Sequence, residues 1–302
     1  MNMYLACLFR NILTTAILLT GAVNCFAGTT LDRIKQTGVI TLGFREDSLP
    51  FSYKNKEQGP PLGYSIDVCN VLAEAIKQEL GSKSLSVKYA PVSGAERIPS
   101  VVGGKIDLEC GNSTNTKERR EKVAFGMPLY FSSAKLLVRA DSGITKFDDL
   151  AGKTLAVEKG STGQQIAEAR KTKLPTMKVV IVESSDAGAR AVEKKTADAF
   201  MTDDILLYAY KAQSAEALVV AGAMISIEPL AIMFNKDDHE LTALVEREMT
   251  KLIESRQMAA LYKKWFQTTL PQRTCNLNVA PNQLTSEILI RPSNYVADWA
   301  VL

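Results

Sequence analysis

Apolar positions along this 302-residue chain alternate between short runs and helical stripes. Residues 39–43 form a short apolar run that predicts a strand, followed by Arg45-Glu46-Asp47 and a turn-rich stretch with Pro50, Gly59, Pro60 and Pro61. From 64 to 80, Ile66, Cys69, Ala73, Ile76 and Leu80 recur every three or four positions, which predicts a helix with one buried face and Gly81 as its stop. Residues 85–90 predict a strand, 96–102 a short helix and 106–110 a third strand. The alternation resumes with a strand at 154–157, a helix at 164–170, a strand at 179–182, a helix at 187–195 and a strand at 197–201.

Strands alternating with helices of this length predict an α/β class with mostly parallel sheets and helices on their faces. In the first half a helix leads through Lys105, Ile106 and Asp107 into a strand, and in the second through Lys195, Thr196, Ala197 and Asp198. That likeness favours two α/β units of similar design over one continuous sheet. Near the end, 241–266 is a long amphipathic segment with a break expected near 255–257, and its aromatic end reads as packing. The tail from Pro271 onward shows little periodicity and is expected to wrap the surface.

The first 27 residues pose a separate problem. Arg10 is their only charged side chain, an apolar run follows from 12 to 23, and Cys25-Phe26-Ala27 puts small residues at −3 and −1 of a cut after Ala27. That layout predicts a cleaved secretory signal peptide, since the run falls short of the roughly 20 residues that span a bilayer. Asn24 stands where a lipid-modified Cys25 would want a small residue.

Composition narrows the function classes. An apolar fraction of 46% and a charged fraction of 23% are those of a soluble globular protein. Removing the leader takes one of 36 basic side chains and none of 33 acidic ones, so no basic face for nucleic acid is expected. Past the leader stand Cys69, Cys110 and Cys275; an odd number leaves at least one thiol unpaired. The sequence does not assign the pair, and Cys69 with Cys275 is the expectation carried forward. His239 is the only histidine, which removes a Ser/His/Asp triad, a Cys/His pair and a histidine zinc site. It is expected at a solvated helix start. No glycine-rich phosphate loop appears, and no metal or cofactor is expected.

Polar residues gather where strands end and helices begin, the place where open α/β sheets bind small ligands. Arg45 follows the first strand, Ser93, Gly94 and Arg97 the second, and Asn112, Ser113, Thr114 and Arg119 the third. In the second unit Gly160-Ser161-Thr162 opens a helix whose N–H groups can hold an anion, and Asp203 and Asp204 follow a strand. Such a set suits an amino acid, whose carboxylate wants arginine and whose ammonium wants a carboxylate.

These residues resemble the extracytoplasmic amino-acid-binding proteins of ABC uptake systems (solute-binding protein family 3), and among them the glutamate/aspartate-binding branch. The likeness is carried in order by Gly43-Phe44-Arg45-Glu46-Asp47-Ser48, Gly63-Tyr64-Ser65-Ile66-Asp67, Glu96-Arg97-Ile98-Pro99, Asp107-Leu108-Glu109-Cys110-Gly111 and Ser113-Thr114-Asn115. It continues with Phe147-Asp148-Asp149-Leu150-Ala151-Gly152-Lys153, Gly160-Ser161-Thr162, Ala197 through Asp204, and Tyr262-Lys263-Lys264-Trp265-Phe266.

The resemblance implies a type II two-lobe fold with the ligand between lobes: 28–128 plus 233–302, and 134–227, hinged near 129–133 and 228–232. It implies that Arg119, with Thr114 and the N–H groups around Thr162, holds the α-carboxylate, that Asp203 takes the ammonium, that Arg45 and Arg97 receive a side-chain carboxylate, and that Ser113 and Ser161 also belong to the ligand-binding set. A neutral ligand would leave two buried arginines unpaired, which is costly. The branch often has Ser at the position of Gly94, His at Ala187 and Ser at Asn112, so the side-chain pocket is expected to have lost donors and gained room. The implied setting is a monomer in the periplasm that hands its ligand to the membrane subunits of an ABC transporter. An enzyme on the same scaffold (dehydratase-like, with Asp203, Asp204 or Glu109 as acid or base) and a sensor component are the rival readings.

Overall fold

The structure, a computed structural model, describes residues 29–82 and 84–297; the leader and its cut after Ala27 lie outside the described residues. The chain opens with helix α1 (Thr30–Thr37), capped by the Thr29 hydroxyl, and strand β1 (Val39–Phe44). A small hairpin of β2 (Asp47–Ser48) and β3 (Ser52–Tyr53) leads to α2 (Tyr64–Glu79) and β4 (Ser86–Pro91). Then come α3 (Arg97–Val102), β5 (Leu108–Glu109), α4 (Lys117–Arg120) and β6 (Ala124–Phe125).

A crossing strand β7 (Tyr130–Ser132) leads into the second lobe. There β8 (Ala134–Arg139), β9 (Thr154–Glu158), α5 (Thr162–Lys171), β10 (Lys178–Val182), α6 (Ser185–Glu193), β11 (Ala199–Asp203), α7 (Asp204–Gln213) and β12 (Leu218–Ala221) follow. The chain returns through β13 (Glu228–Leu230) to β14 (Met233–Phe234), α8 (His239–Glu254), α9 (Gln257–Phe266) and α10 (Gln283–Ile288).

Two five-stranded sheets result, ordered β4-β1-β5-β14-β6 and β10-β9-β11-β8-β12, with β7 and β13 forming an antiparallel pair between them. The paired turn signals in the sequence have one physical cause. Asp107 accepts the Thr41 amide in the first sheet at 2.7 Å, and Asp198 accepts the Thr154 amide in the second at 2.8 Å. Each aspartate, just ahead of the third parallel strand of its unit (β5 after β1 and β4, β11 after β9 and β10), clips that strand to the first parallel one, β1 or β9.

The first lobe's core holds Ile66, Cys69, Leu72 and Ile76 of α2 against β1 and the last long helices. Those are α8 and α9, broken at Arg256, whose φ of 64° interrupts the helical path at the position expected. Tyr130, Tyr262 and Phe266 stack there, the Tyr262 and Phe266 rings 4.3 Å apart, and Phe51 and Tyr64 meet them edge-on. Aromatics at this end are therefore packing. His239 is exposed and opens α8.

Two expectations are corrected. The disulfide joins Cys69 to Cys110, and Cys275 is a buried free thiol. Cys110 immediately follows β5, beside β1 and under α2, which puts its Cα 6.1 Å from that of Cys69. The tail does more than wrap. Ahead of α10, Asn282 donates to the Phe131 carbonyl at 2.7 Å, and Thr285 within α10 accepts the Phe131 amide at 3.1 Å, so the tail is bonded to a crossing strand.

Candidate ligand-binding site

The two lobes meet along the carboxyl ends of β1, β4 and β5 on one side and β9 and β11 on the other. Arg45 stands one residue past β1, Arg97 opens α3, and Arg119 lies in α4, whose first turn is capped by the Thr116 hydroxyl. All three guanidinium-bearing residues are buried. Opposite them, Gly160 has a left-handed φ of 73°, and Ser161 caps α5 by accepting the Gln164 amide. Asp203 is the last residue of β11, also buried.

The three arginines divide into two kinds. Arg45 forms an ion pair across the cleft with Glu158, with both side chains almost wholly buried, and a longer one of 3.5 Å with Asp47. Burial pulls the Arg45 pKa down, but Glu158, Asp47 and Glu109 outweigh it and the net shift is upward. Arg97 and Arg119 each donate to the Gly160 carbonyl, at 3.3 and 3.2 Å, and Arg119 also donates to the Thr114 carbonyl at 3.0 Å. Among the described residues neither has a carboxylate within ion-pair reach, and the Nε of Arg97 has no hydrogen-bond partner. Burial lowers the pKa of both; for Arg119 burial, then the nearby Arg97 charge, pushes it down to about 9. A lowered guanidinium is a cation held without its counter-ion.

Asp203 accepts from the Asn112 amide at 2.8 Å, while the Asn112 carbonyl oxygen is buried without a partner. Burial, then the Glu228 charge, holds the Asp203 carboxyl well above the ordinary aspartate range. The cleft thus offers two guanidiniums without carboxylate partners from the first lobe and the Asp203 carboxylate from the second, with Asn112 of the first lobe bonded to it across the cleft.

The structure brings Arg97, Thr114, Arg119, Thr162 and Asp203 around this point. Thr114 and Thr162 both donate to one oxygen of Glu228 in the crossing strand β13, at 2.8 and 2.6 Å. The hydroxyls of Ser113 and Ser161 are turned elsewhere: Ser113 donates to Glu109 at 2.6 Å and Ser161 to the Glu158 carbonyl at 2.7 Å. A cavity of about 910 Å³ opens on the Arg45 flank, lined by Asp47, Ser93, Glu96, Asp186 and Tyr210 among others, with Arg97, Arg119 and Asp203 outside that lining. No group of three or more His, Cys, Asp or Glu side chains among the described residues could hold a metal ion.

The profile of the bacterial extracellular solute-binding proteins, family 3, matches residues 40–268. The chain belongs to that family. An L-glutamate/L-aspartate-binding protein of Pseudomonas aeruginosa is 35% identical over 89% of this chain and 90% of its own length. A glutamate/aspartate import solute-binding protein of Escherichia coli is 33% identical over 83% of this chain and 84% of its own. A solved structure of a solute receptor for L-cysteine of Neisseria gonorrhoeae matches with a TM-score of 0.70 at 28% identity, covering 80% of this chain and 94% of that one.

As a family 3 solute-binding protein, this chain has the type II two-lobe fold its motifs implied. Two carboxylates of its cleft escaped the sequence reading. Glu158 ends an apolar strand and Glu228 sits in a short apolar one; an acid at the end of a buried strand was the available signal for the first. No pattern marked the second.

Proposed function

We propose that this protein captures an amino acid with an acidic side chain, glutamate, aspartate or a close analogue, and delivers it to the membrane subunits of an ABC importer. The observation that carries the reading is the pair of buried guanidiniums, Arg97 and Arg119, which share the Gly160 carbonyl and lack carboxylate partners among the described residues. Two such cations facing Asp203 suit a ligand with two carboxylates and one ammonium. Arg119 takes the α-carboxylate with backbone N–H groups at Thr114 and Thr162, whose hydroxyls are given to Glu228, Asp203 takes the ammonium, and Arg97 takes the side-chain carboxylate. Arg45 contributes beside Arg97 but shares its charge with Glu158. Backbone N–H groups around Ser161 and the turn at Ser113 complete the cradle, since both hydroxyls are engaged elsewhere.

The lobes run 28–128 with 233–302, and 134–227, hinged near 129–133 and 228–232. Closure rotates one lobe on the other and forms the surface that the importer reads. The protein works as a monomer in the periplasm after cleavage past Ala27, as a binding protein without catalytic turnover. The relatives' names, the family profile and the charges of the cleft support this reading together.

The test is a thermal-shift screen of the exported protein, stripped of co-purified ligand, against the amino acids and small dicarboxylates. Glutamate or aspartate at about 100 times its dissociation constant adds roughly 2.7 kcal/mol, a rise of a few degrees. Stabilisation by neutral or basic amino acids alone overturns the acidic reading, and conversion of a bound compound into product overturns the binding reading.

A further inference from the structure

The departures at Gly94 and Ala187 left a pocket expected to be roomier than in its relatives. The structure fills that room with a side chain of its own. Glu158, the last residue of β9, extends one carboxylate oxygen to Arg45 and the other to Ser185, whose hydroxyl donates at 2.6 Å. A Cβ added at Gly94 would stand 2.6 Å from the Glu158 carboxylate oxygen and 2.9 Å from the Lys159 carbonyl. Glycine at 94 is therefore what lets this carboxylate occupy its place. The anion sits in the side-chain half of the cleft, against the guanidinium opposite, and its field reaches Arg97 as well.

We propose that Glu158 is a specificity-determining residue: an internal carboxylate that takes the Arg45 share of the side-chain receptor and blunts the preference for an acidic side chain over its amide. The inference rests on the amino-acid-binding reading above. An incoming side-chain carboxylate meets one free guanidinium, that of Arg97, and a fixed negative charge beside it. An amide of the same length loses less there, because its carbonyl still accepts from Arg97 and its NH2 can donate to Glu158. Both groups are buried, so solvent screens little of the difference. The wild-type cleft therefore discriminates weakly between glutamate and glutamine, or between aspartate and asparagine.

The experiment is titration calorimetry of the exported protein with these four amino acids, comparing wild type with Glu158→Gln. Wild type is expected to hold the acid no more than about tenfold tighter than the amide, and E158Q to raise that ratio at least about tenfold, the worth of one charge-assisted bond. Ser185→Ala, which keeps the carboxylate but removes the hydroxyl that holds it, moves the ratio the same way by less, and guards against E158Q failing to fold. An acid-to-amide ratio above about a hundredfold in wild type, or a ratio unmoved by either variant, overturns the role of Glu158 and leaves the binding reading intact. Wild type that binds none of the four overturns the binding reading itself.

Discussion

Arg97 and Arg119 donate to one acceptor, the carbonyl oxygen of Gly160, from the opposite lobe. A single peptide oxygen cannot neutralise two buried cations; burial weakens the hold of both on their protons, and the Arg97 charge adds to this at Arg119 as the Arg45 charge does at Arg97. On the proposed reading the two residues nevertheless face different parts of an amino acid. Arg119→Ala is expected to abolish binding of every amino acid, by at least about a hundredfold, because it removes the α-carboxylate receptor. Arg97→Ala is expected to cost acidic ligands about ten- to a hundredfold, their amides less, and amino acids with apolar side chains little. Calorimetry across a ligand panel checks this, and equal losses for both variants across all ligands contradict the assignment.

Asp203 makes stability depend on pH. Its carboxyl is raised by burial and then by Glu228, so the native state holds a proton that the unfolded chain releases. The contribution is fully present below the ordinary aspartate value of about 3.9 and is lost as pH rises through the native value. Asp203→Asn should therefore match the ligand-stripped wild type near pH 3.5 and exceed it in Tm by a margin that grows with pH. The same variant should bind amino acids at least about tenfold more weakly, since the ammonium loses its partner. Melting curves across pH with and without ligand read both effects; a margin that shrinks with pH refutes the first.

The Cys69–Cys110 bond closes a segment of 41 residues that includes β4 and α3. A loop of that length predicts that Cys110→Ser, or reduction, costs about 3–4 kcal/mol. Cys275→Ser, at a buried thiol with no disulfide, is expected to cost about 1 kcal/mol or less. Denaturant unfolding with and without reductant distinguishes them, and a loss on reduction that depends on Cys275 contradicts the pairing.

The tail bonds to Phe131 predict a local effect. Asn282→Ala with Thr285→Val removes two hydrogen bonds and is expected to cost about 1–3 kcal/mol in total. Amide exchange at Phe131 should accelerate while that of β9 and β11 does not. Unchanged exchange at Phe131 contradicts the contact.

The architecture was legible because strand runs, helical stripes and the aspartates ahead of each third strand obey local rules. Helix α7 was not, since Thr202-Asp203-Asp204 read as a polar strand end and Ile205-Leu206-Leu207 behind it is an unbroken apolar run without a visible helical stripe. At the cleft, Arg97, Arg119 and Asp203 were legible as charges at strand ends. The engagement of Arg45 was not, because its partner Glu158 comes from the facing lobe and finds room only through the absence of a Cβ at Gly94, on Arg45's own lobe. The disulfide was hidden for a similar reason: which cysteine lies under α2 depends on the order of strands in the sheet.

Tyr130, Phe131 and Ser132 follow one another along the crossing strand, the first two tied to different parts of the first lobe and the third to the second lobe. Tyr130 is stacked in the aromatic core of the first lobe, and Ser132 donates to Asp204 at the head of α7 in the second. Phe131 between them is held by the tail, and across the ladder from it stands Pro229, whose ring locks φ. The joint thus has few free torsions, and its anchors lie one residue to either side of its middle. Under the closure proposed above, such a joint is expected to act as a pin with a single axis, so that the path of the lobes is an arc set by these residues and the ligand chooses only how far along it they come to rest.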